Sequence, residues 1–271
     1  MKFKRIIVAA LLLSIVFSLN SCTKKIKKNG VTYHKNNNYC SVVYINDFNL
    51  DSLEKNIYVP DFIEGKPVTE FGIKTYFYQS GRINCATVEA IYFPWSISKS
   101  YYPEWWNDGV EYVIAASAET IVCTFNRGNR KYVMPRRTYE KIKSGELIGD
   151  YTENNFPLTL EKFAFCLPAN ISYYFNHEEA PNDNYFFIDL LEETGKLTKP
   201  PYDPKREGYI FDGWYKNEAC TEMFNFDSDM IEIKFDEEGN RIYEEICLYA
   251  GWEKEPTAWE KITDWFKSLF N

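Results

Sequence analysis

The sequence is short of most of what catalysis at neutral pH draws on. It holds two histidines, His34 and His177, which leaves little room for imidazole acid–base chemistry or a histidine metal site. No CxxC pair, GxSxG, HExxH, P-loop or dinucleotide-binding glycine pattern occurs, so no motif points to zinc, acyl transfer or nucleotide chemistry. Positive charge is also scarce: 31 Lys and Arg face 39 Asp and Glu, for a net charge of −8. Nucleic-acid partners are excluded on that ground, because phosphate contacts need clustered Lys and Arg. With 13 Gly and 12 Pro in 271 residues, the chain is neither collagen-like nor linker-dominated. It has no apolar run of the roughly 20 residues that a spanning helix requires. Aromatics are plentiful instead, with 7 Trp, 21 Tyr and 20 Phe. Such a chain can bury a sizeable core in one or two domains.

Lys2, Lys4 and Arg5 precede an apolar run from Ile6 to Leu19 that only Ser14 and Ser18 interrupt. A basic start followed by a run too short to span reads as a signal peptide, residues 1–21. Its end, Leu19-Asn20-Ser21-Cys22, resembles a bacterial lipobox. The resemblance implies lipid attachment at Cys22, a membrane partner through that lipid, and an extracytoplasmic location at the cell surface. Lys24, Lys25, Lys27, Lys28 and Lys35 follow with no acidic residue before Asp47. Residues 22–39 therefore read as a lipidated polar tether near an anionic surface. Acidity gathers at the other end: residues 169–271 carry 10 basic against 23 acidic side chains, which places a boundary near residue 168.

Between those limits, apolar triplets closing on proline recur: Ile57-Tyr58-Val59-Pro60, Ile91-Tyr92-Phe93-Pro94 and Tyr132-Val133-Met134-Pro135. Tyr112-Val113-Ile114-Ala115 falls between the last two, with Tyr112 phased 21 residues after Ile91 and 20 before Tyr132. One short strand per unit, with each unit burying its apolar face against neighbours, predicts a solenoid. Ile57 to Gly72, with Gly65-Lys66-Pro67-Val68, and Pro94-Trp95-Ser96-Ile97 resemble the BspA-like leucine-rich repeats of bacterial surface proteins. The resemblance covers roughly residues 40 to 140, within a repeat domain read over residues 40–168, and implies an interaction surface rather than an active site. The asparagine and leucine ladders of regular leucine-rich repeats are absent, so the solenoid is expected to be irregular.

The second half reads as strands at residues 170–176 and 185–191 joined by a polar loop, with a closing strand at Glu245–Trp252. Lys205-Arg206-x-Gly208-Tyr209-x-Phe211-x-Gly213-Trp214-Tyr215 and Leu248-Tyr249-Ala250-x-Trp252 resemble the internalin B-type repeat, also called the Listeria-Bacteroides repeat. This implies a small β-grasp-like module over residues 169–254, with an insertion around Glu237 to Asn240 lengthening a hairpin. Tyr209, Phe211, Trp214 and Trp252 are expected in its core. Residues 255–271 read as an amphipathic helix, opened by a Thr257/Glu260 capping box. Its apolar Trp259, Ile262, Trp265, Phe266, Leu269 and Phe270 recur at helical spacing, a face suited to docking on the protein's own surface, to a membrane interface or to a partner.

The fold class is thus mainly β with minor α. Past Cys22, six cysteines remain, Cys40, Cys85, Cys123, Cys166, Cys220 and Cys247, mostly read as unpaired core thiols. His177 reads as an exposed loop residue. Trp95, Tyr101, Tyr102, Trp105 and Trp106 gather around Pro103 in what reads as a loop, and aromatics with a polar tip suit a binding surface. These five are the candidate ligand-binding residues. No nucleophile–base pair can be named, and no cofactor, metal or catalytic residue is expected. The sequence points to a lipid-anchored surface protein engaged in adhesion or protein recognition, without catalysis. The alternative is carbohydrate binding through the Trp95 to Trp106 cluster.

Overall fold

β-Branched and aromatic side chains, stiff at χ1 and suited to pleated surfaces, place strands along nearly the whole chain. The computed structural model describes residues 24–47, 50, 54–72, 81–101, 104–106, 109–117, 119–121, 130–144, 165–191, 194–239, 241–242 and 244–268. Its first half contains β1 (Lys24–Lys28), β2 (Val31–Lys35), β3 (Cys40–Asn46), β4 (Asn56–Tyr58), β5 (Phe62–Ile63), β6 (Lys66–Phe71) and β7 (Arg82–Asn84). It continues through β8 (Ala90–Phe93), β9 (Lys99–Ser100), β10 (Glu104–Trp106), β11 (Tyr112–Ala115), β12 (Lys131–Met134), α1 (Arg136–Lys143) and β13 (Cys166–Pro168). The second half holds β14 (Ile171–Tyr174), β15 (Tyr185–Asp189), β16 (Tyr209–Tyr215), β17 (Lys234–Phe235), β18 (Arg241–Ile242), β19 (Ile246–Lys254) and α2 (Ala258–Ser268). The protein is mainly β.

Strands β4, β8, β11, β12 and β13 form an all-parallel sheet in chain order. Ile57, Ile91, Val113, Tyr132 and Cys166 share one rung of this ladder. All five are buried in one core with Val31, Tyr33, Val42 and Phe71 of the sheet built on β1, β2, β3 and β6. The sequence phasing was one residue off, because Val113, not Tyr112, sits beside Ile91 and Tyr132. A one-residue slip exchanges the two faces of a strand, and β11 has no closing proline to anchor the phase. Cys166-Leu167-Pro168 supplies a fifth rung; its proline is tolerated because β13 is the sheet's edge.

The opposite face of the ladder is buried too. Ala90, Tyr92, Ile114, Ala116 and Val133 share a second core with Ile171, Tyr173, Phe186, Phe187, Trp214 and Leu248. A parallel sheet normally needs cover on both faces, and here the second half provides it. Its four strands run in the order β15-β14-β19-β16. The central β14–β19 pair is parallel and the outer pairs are antiparallel. Gly213 marks a bulge where the β16–β19 register shifts, at a φ of 150° that favours glycine. The insertion forms its own hairpin, β17 with β18.

Two expectations are corrected. Residues 24–35, read as part of a tether, form an antiparallel hairpin whose Val31 and Tyr33 lie in the first core. Glu104–Trp106, read as loop, is a strand parallel to β7. Helix α2 has its capping box, with the Glu260 N–H donating to Thr257 Oγ1 at 3.2 Å and the Thr257 N–H donating to Glu260 Oε2 at 2.7 Å. Along it Trp259 is 75% exposed, and Ile262 and Trp265 are exposed with it. Cys40 and Cys85 are buried free thiols, Cys166 is buried, and Cys220 and Cys247 are free and half-buried. Cys123 and Cys22 lie outside the described residues, as does the signal segment 1–21.

Candidate cleft between the two halves

Where the first half meets the second, a cleft of about 1290 Å³ opens. The ladder delivers Tyr58 from the end of β4, Asp61 from the turn before β5 and Trp95 from the turn after β8. From the second half come Phe175, Asn176 and His177 after β14, Phe186 of β15, and the Pro201–Tyr209 segment leading into β16. Tyr202 stands between Pro201 and Pro204, whose rings restrict the backbone on either side. Its hydroxyl donates to the Val59 carbonyl at 3.1 Å, joining the two halves at the cleft. At its side, Tyr58 stacks on Tyr92 with ring centroids 4.5 Å apart, and Tyr92 on Phe187 at 5.3 Å. The Tyr92 hydroxyl donates to Asp189 Oδ1 at 2.8 Å.

Asp61 is 7% exposed, and its Oδ1 has no hydrogen-bond partner. Burial alone pushes its carboxyl up to about 7, since desolvation disfavours the charged form. The same burial, with Asp61 close by, holds the Tyr202 phenol well above its ordinary value. His177 is half-buried rather than exposed. It sits edge-on to Phe175 and Trp252 at 6.0 Å from each ring. Both its nitrogens are buried without a partner, and burial, then the Arg206 charge, lowers its pKa. Trp95 meets Phe175 edge-to-face at 6.1 Å, and its Nε1–H is likewise unpartnered. On the rim, the Arg206 guanidinium lies 3.8 Å from the centre of the Tyr209 ring. Tyr209, expected in the core, is therefore half-buried at the cleft edge.

Of the five aromatics singled out in the sequence, Trp95 lines this cleft. Tyr101 is half-buried, its backbone N–H donating to the Phe71 carbonyl at 2.8 Å beside the first sheet. Trp105 and Trp106 belong to β10 of that same sheet rather than to the ladder, and Tyr102 lies outside the described residues. Asp61, Tyr58, Tyr202 and His177 were missed as site residues. The available signal was a tyrosine held among Pro200, Pro201 and Pro204, a rigid mount of the kind binding surfaces use. Trp214, as expected, is core: 2% exposed, with Tyr173 and Phe211 rings at 5.0 and 5.2 Å.

The thiols nearest to catalytic interest are poorly suited to it. Burial pushes Cys85 and Cys166 up to about 12, far from the thiolate that nucleophilic attack requires. Among the described residues no group of three or more His, Cys, Asp or Glu could hold a metal ion. Nor is any described helix long and apolar enough to cross a membrane.

Residues 170–251 match the family model of the Listeria-Bacteroides repeat domain. The chain is also similar to two proteins of Evansella cellulosilytica. One carries the provisional name of a Gly-rich membrane protein and is 33% identical over 65 residues. The other is provisionally named a membrane protein and is 32% identical over 74 residues. These stretches are 24% and 27% of this chain, but only 6% and 10% of the relatives' lengths.

Proposed function

We propose that the chain is a lipid-anchored protein of the bacterial cell surface that acts by adhesion, holding an extracellular partner without transforming it. The observation that carries this reading is the cleft. It is a roomy recess lined by aromatic and charged side chains at the junction of two β halves, a usual setting for a binding site. The lipobox-like Leu19–Cys22 supports the anchor, and the repeat module together with the membrane-protein relatives supports the surface location. The in-register parallel ladder supports reading residues 40–168 as BspA-like repeats wound as a solenoid. The central parallel pair within a four-stranded sheet supports a β-grasp-like module at 169–254. Lys24, Lys25, Lys27 and Lys28 lie just beyond Cys22 on an exposed strand, so lipid insertion would bring a basic edge to the membrane surface.

Cells displaying the full chain, assayed on immobilised extracellular-matrix proteins and mucin, are expected to be retained above cells lacking it. The Cys22→Ser form is expected to leave the membrane fraction and abolish retention. Equal retention of displaying and non-displaying cells defeats the adhesive reading; a membrane-bound Cys22→Ser form defeats the lipid anchor. The alternative ligand, carbohydrate, draws support from Trp95, which reaches the cleft even though Trp105 and Trp106 belong to another sheet.

A further inference from the structure

Helix α2 holds large apolar side chains at the molecular surface. Trp259 is 75% exposed, Trp265 58% and Ile262 45%, and Phe266, Leu269 and Phe270 continue the same arc of the helix in the sequence. Glu260, Asp264 and Lys267 fall on the other arc. Single apolar residues are ordinary on a protein surface, but a row of them along one helix marks a contact face. The capping box of Thr257 and Glu260 fixes the start of the helix, so the row is presented on a regular scaffold.

The place where α2 is rooted says what meets that face. Ahead of the helix, the Glu255 N–H donates to the Gly208 carbonyl at 2.9 Å. Glu207 and Tyr209, on either side of Gly208, border the same recess as Lys28 and Asn29 at the end of β1. Contacts through the β5–β6 hairpin join the two segments again: Lys24 Nζ lies 3.2 Å from Glu64 Oε1, and Lys205 Nζ lies 5.5 Å from the centre of the Phe62 ring. The first described strand and the root of the last helix thus share one edge of the molecule. Cys22 stands two residues before Lys24, and two residues span at most about 7 Å. A lipid on Cys22 would hold this edge at the bilayer surface.

We infer that α2 lies in the interface of that same bilayer, with Trp259, Ile262 and Trp265 among the headgroups and upper acyl chains, as a second membrane contact beside the lipid. The inference rests on the lipid-anchored reading above and extends it. Tryptophan suits the headgroup level, having an apolar body and a polar N–H. The helix charges Glu260, Lys261, Asp264 and Lys267 cancel, so apolar contact drives the insertion, while the exposed lysines of β1 favour anionic headgroups. At eleven residues the helix is too short to cross a bilayer and binds one weakly by itself. A neighbouring anchor makes its contact intramolecular and thereby effective.

The test uses the chain from residue 22 onward, the form that the anchored reading implies, with Cys22→Ser and an N-terminal histidine tag standing in for the lipid. The tag holds it on vesicles of phosphatidylglycerol and phosphatidylethanolamine in equal parts, doped with a nickel-chelating lipid and with phospholipid brominated near the headgroup. Tryptophan emission of the tethered parent is expected to be quenched by the brominated lipid. Ile262→Glu, which keeps every tryptophan but puts a charge on the apolar face, is expected to reduce that quenching severalfold, and Trp259→Phe to remove the share belonging to Trp259. Both positions are exposed, so both variants should keep the circular dichroism of the parent, and each gives a readout should the other misfold. A parent that is not quenched, or quenching that survives both substitutions, would overturn the inference. So would a dimer formed without vesicles that Ile262→Glu dissolves, since the face would then belong to a second copy. Because the tag replaces the lipid, these outcomes judge the helix alone, whereas a Cys22→Ser form that stays membrane-bound in cells judges the anchor.

Discussion

At Asp61 the chain keeps a carboxyl where solvent barely reaches. The group is 7% exposed beside Tyr202, whose phenol burial holds well above its ordinary value. Its pKa rises from 3.8 to about 7 through burial. Below about pH 4 the carboxyl is neutral in both folded and unfolded chains, and its titration contributes nothing. Between about pH 4 and 7 the unfolded chain releases the proton while the folded chain retains it, so stability falls as pH rises. Above about pH 7 the folded chain carries the buried charge and the full penalty, on the order of 4 kcal/mol, is present. Asp61→Asn keeps the shape and abolishes the titration. Urea unfolding at pH 5 and pH 8 is expected to show the parent losing stability with pH relative to the variant; parallel pH profiles would mean that the carboxyl is not held in its neutral form.

At the scale of elements, the hairpin β1–β2 shows most clearly what was legible and what was obscured. Asn29-Gly30 is a turn signature, with φ of 45° and 74°, but four lysines around it read as a solvated tether. The lysines have a different job: β1 is the sheet's edge, and an edge studded with exposed Lys resists pairing with another chain. Gly30 is fixed twice over, by its φ and by the Asn46 carbonyl that an added Cβ would strike. Gly30→Ala is therefore expected to cost about 2 kcal/mol or more in chemical denaturation, combining left-handed backbone strain with the clash; a loss under half that would show that the turn relaxes freely. The ladder strands, by contrast, could be read from their proline-closed triplets, because apolar rungs and strand-ending prolines are local features. The cleft could not. It joins turns from both halves, as in the Tyr202–Val59 hydrogen bond across 143 residues, and no local period encodes such a meeting.

For the whole molecule, the decisive feature is that one sheet serves two cores. Ile57, Ile91, Val113 and Tyr132 face one core, while Tyr92, Ile114 and Val133 face the other. Melting the second half alone would expose that outward face, at about 1.5–3 kcal/mol for each large apolar side chain. It would also break the Tyr92–Phe187 stack and the buried Tyr92–Asp189 hydrogen bond. The two halves should accordingly unfold as one cooperative unit even though their sequences resemble separate modules. Scanning calorimetry of the chain is expected to give a single transition whose calorimetric and van't Hoff enthalpies agree. Tyr92→Phe, which leaves a buried carboxylate short of a donor, should lower that transition as a whole by a few degrees, at about 2–4 °C per kcal/mol for a chain of this size. Two transitions, with only the one belonging to the second half moved by Tyr92→Phe, would mean that the ladder's outer face is stable without its cover, and that the cleft can open by separation of the halves.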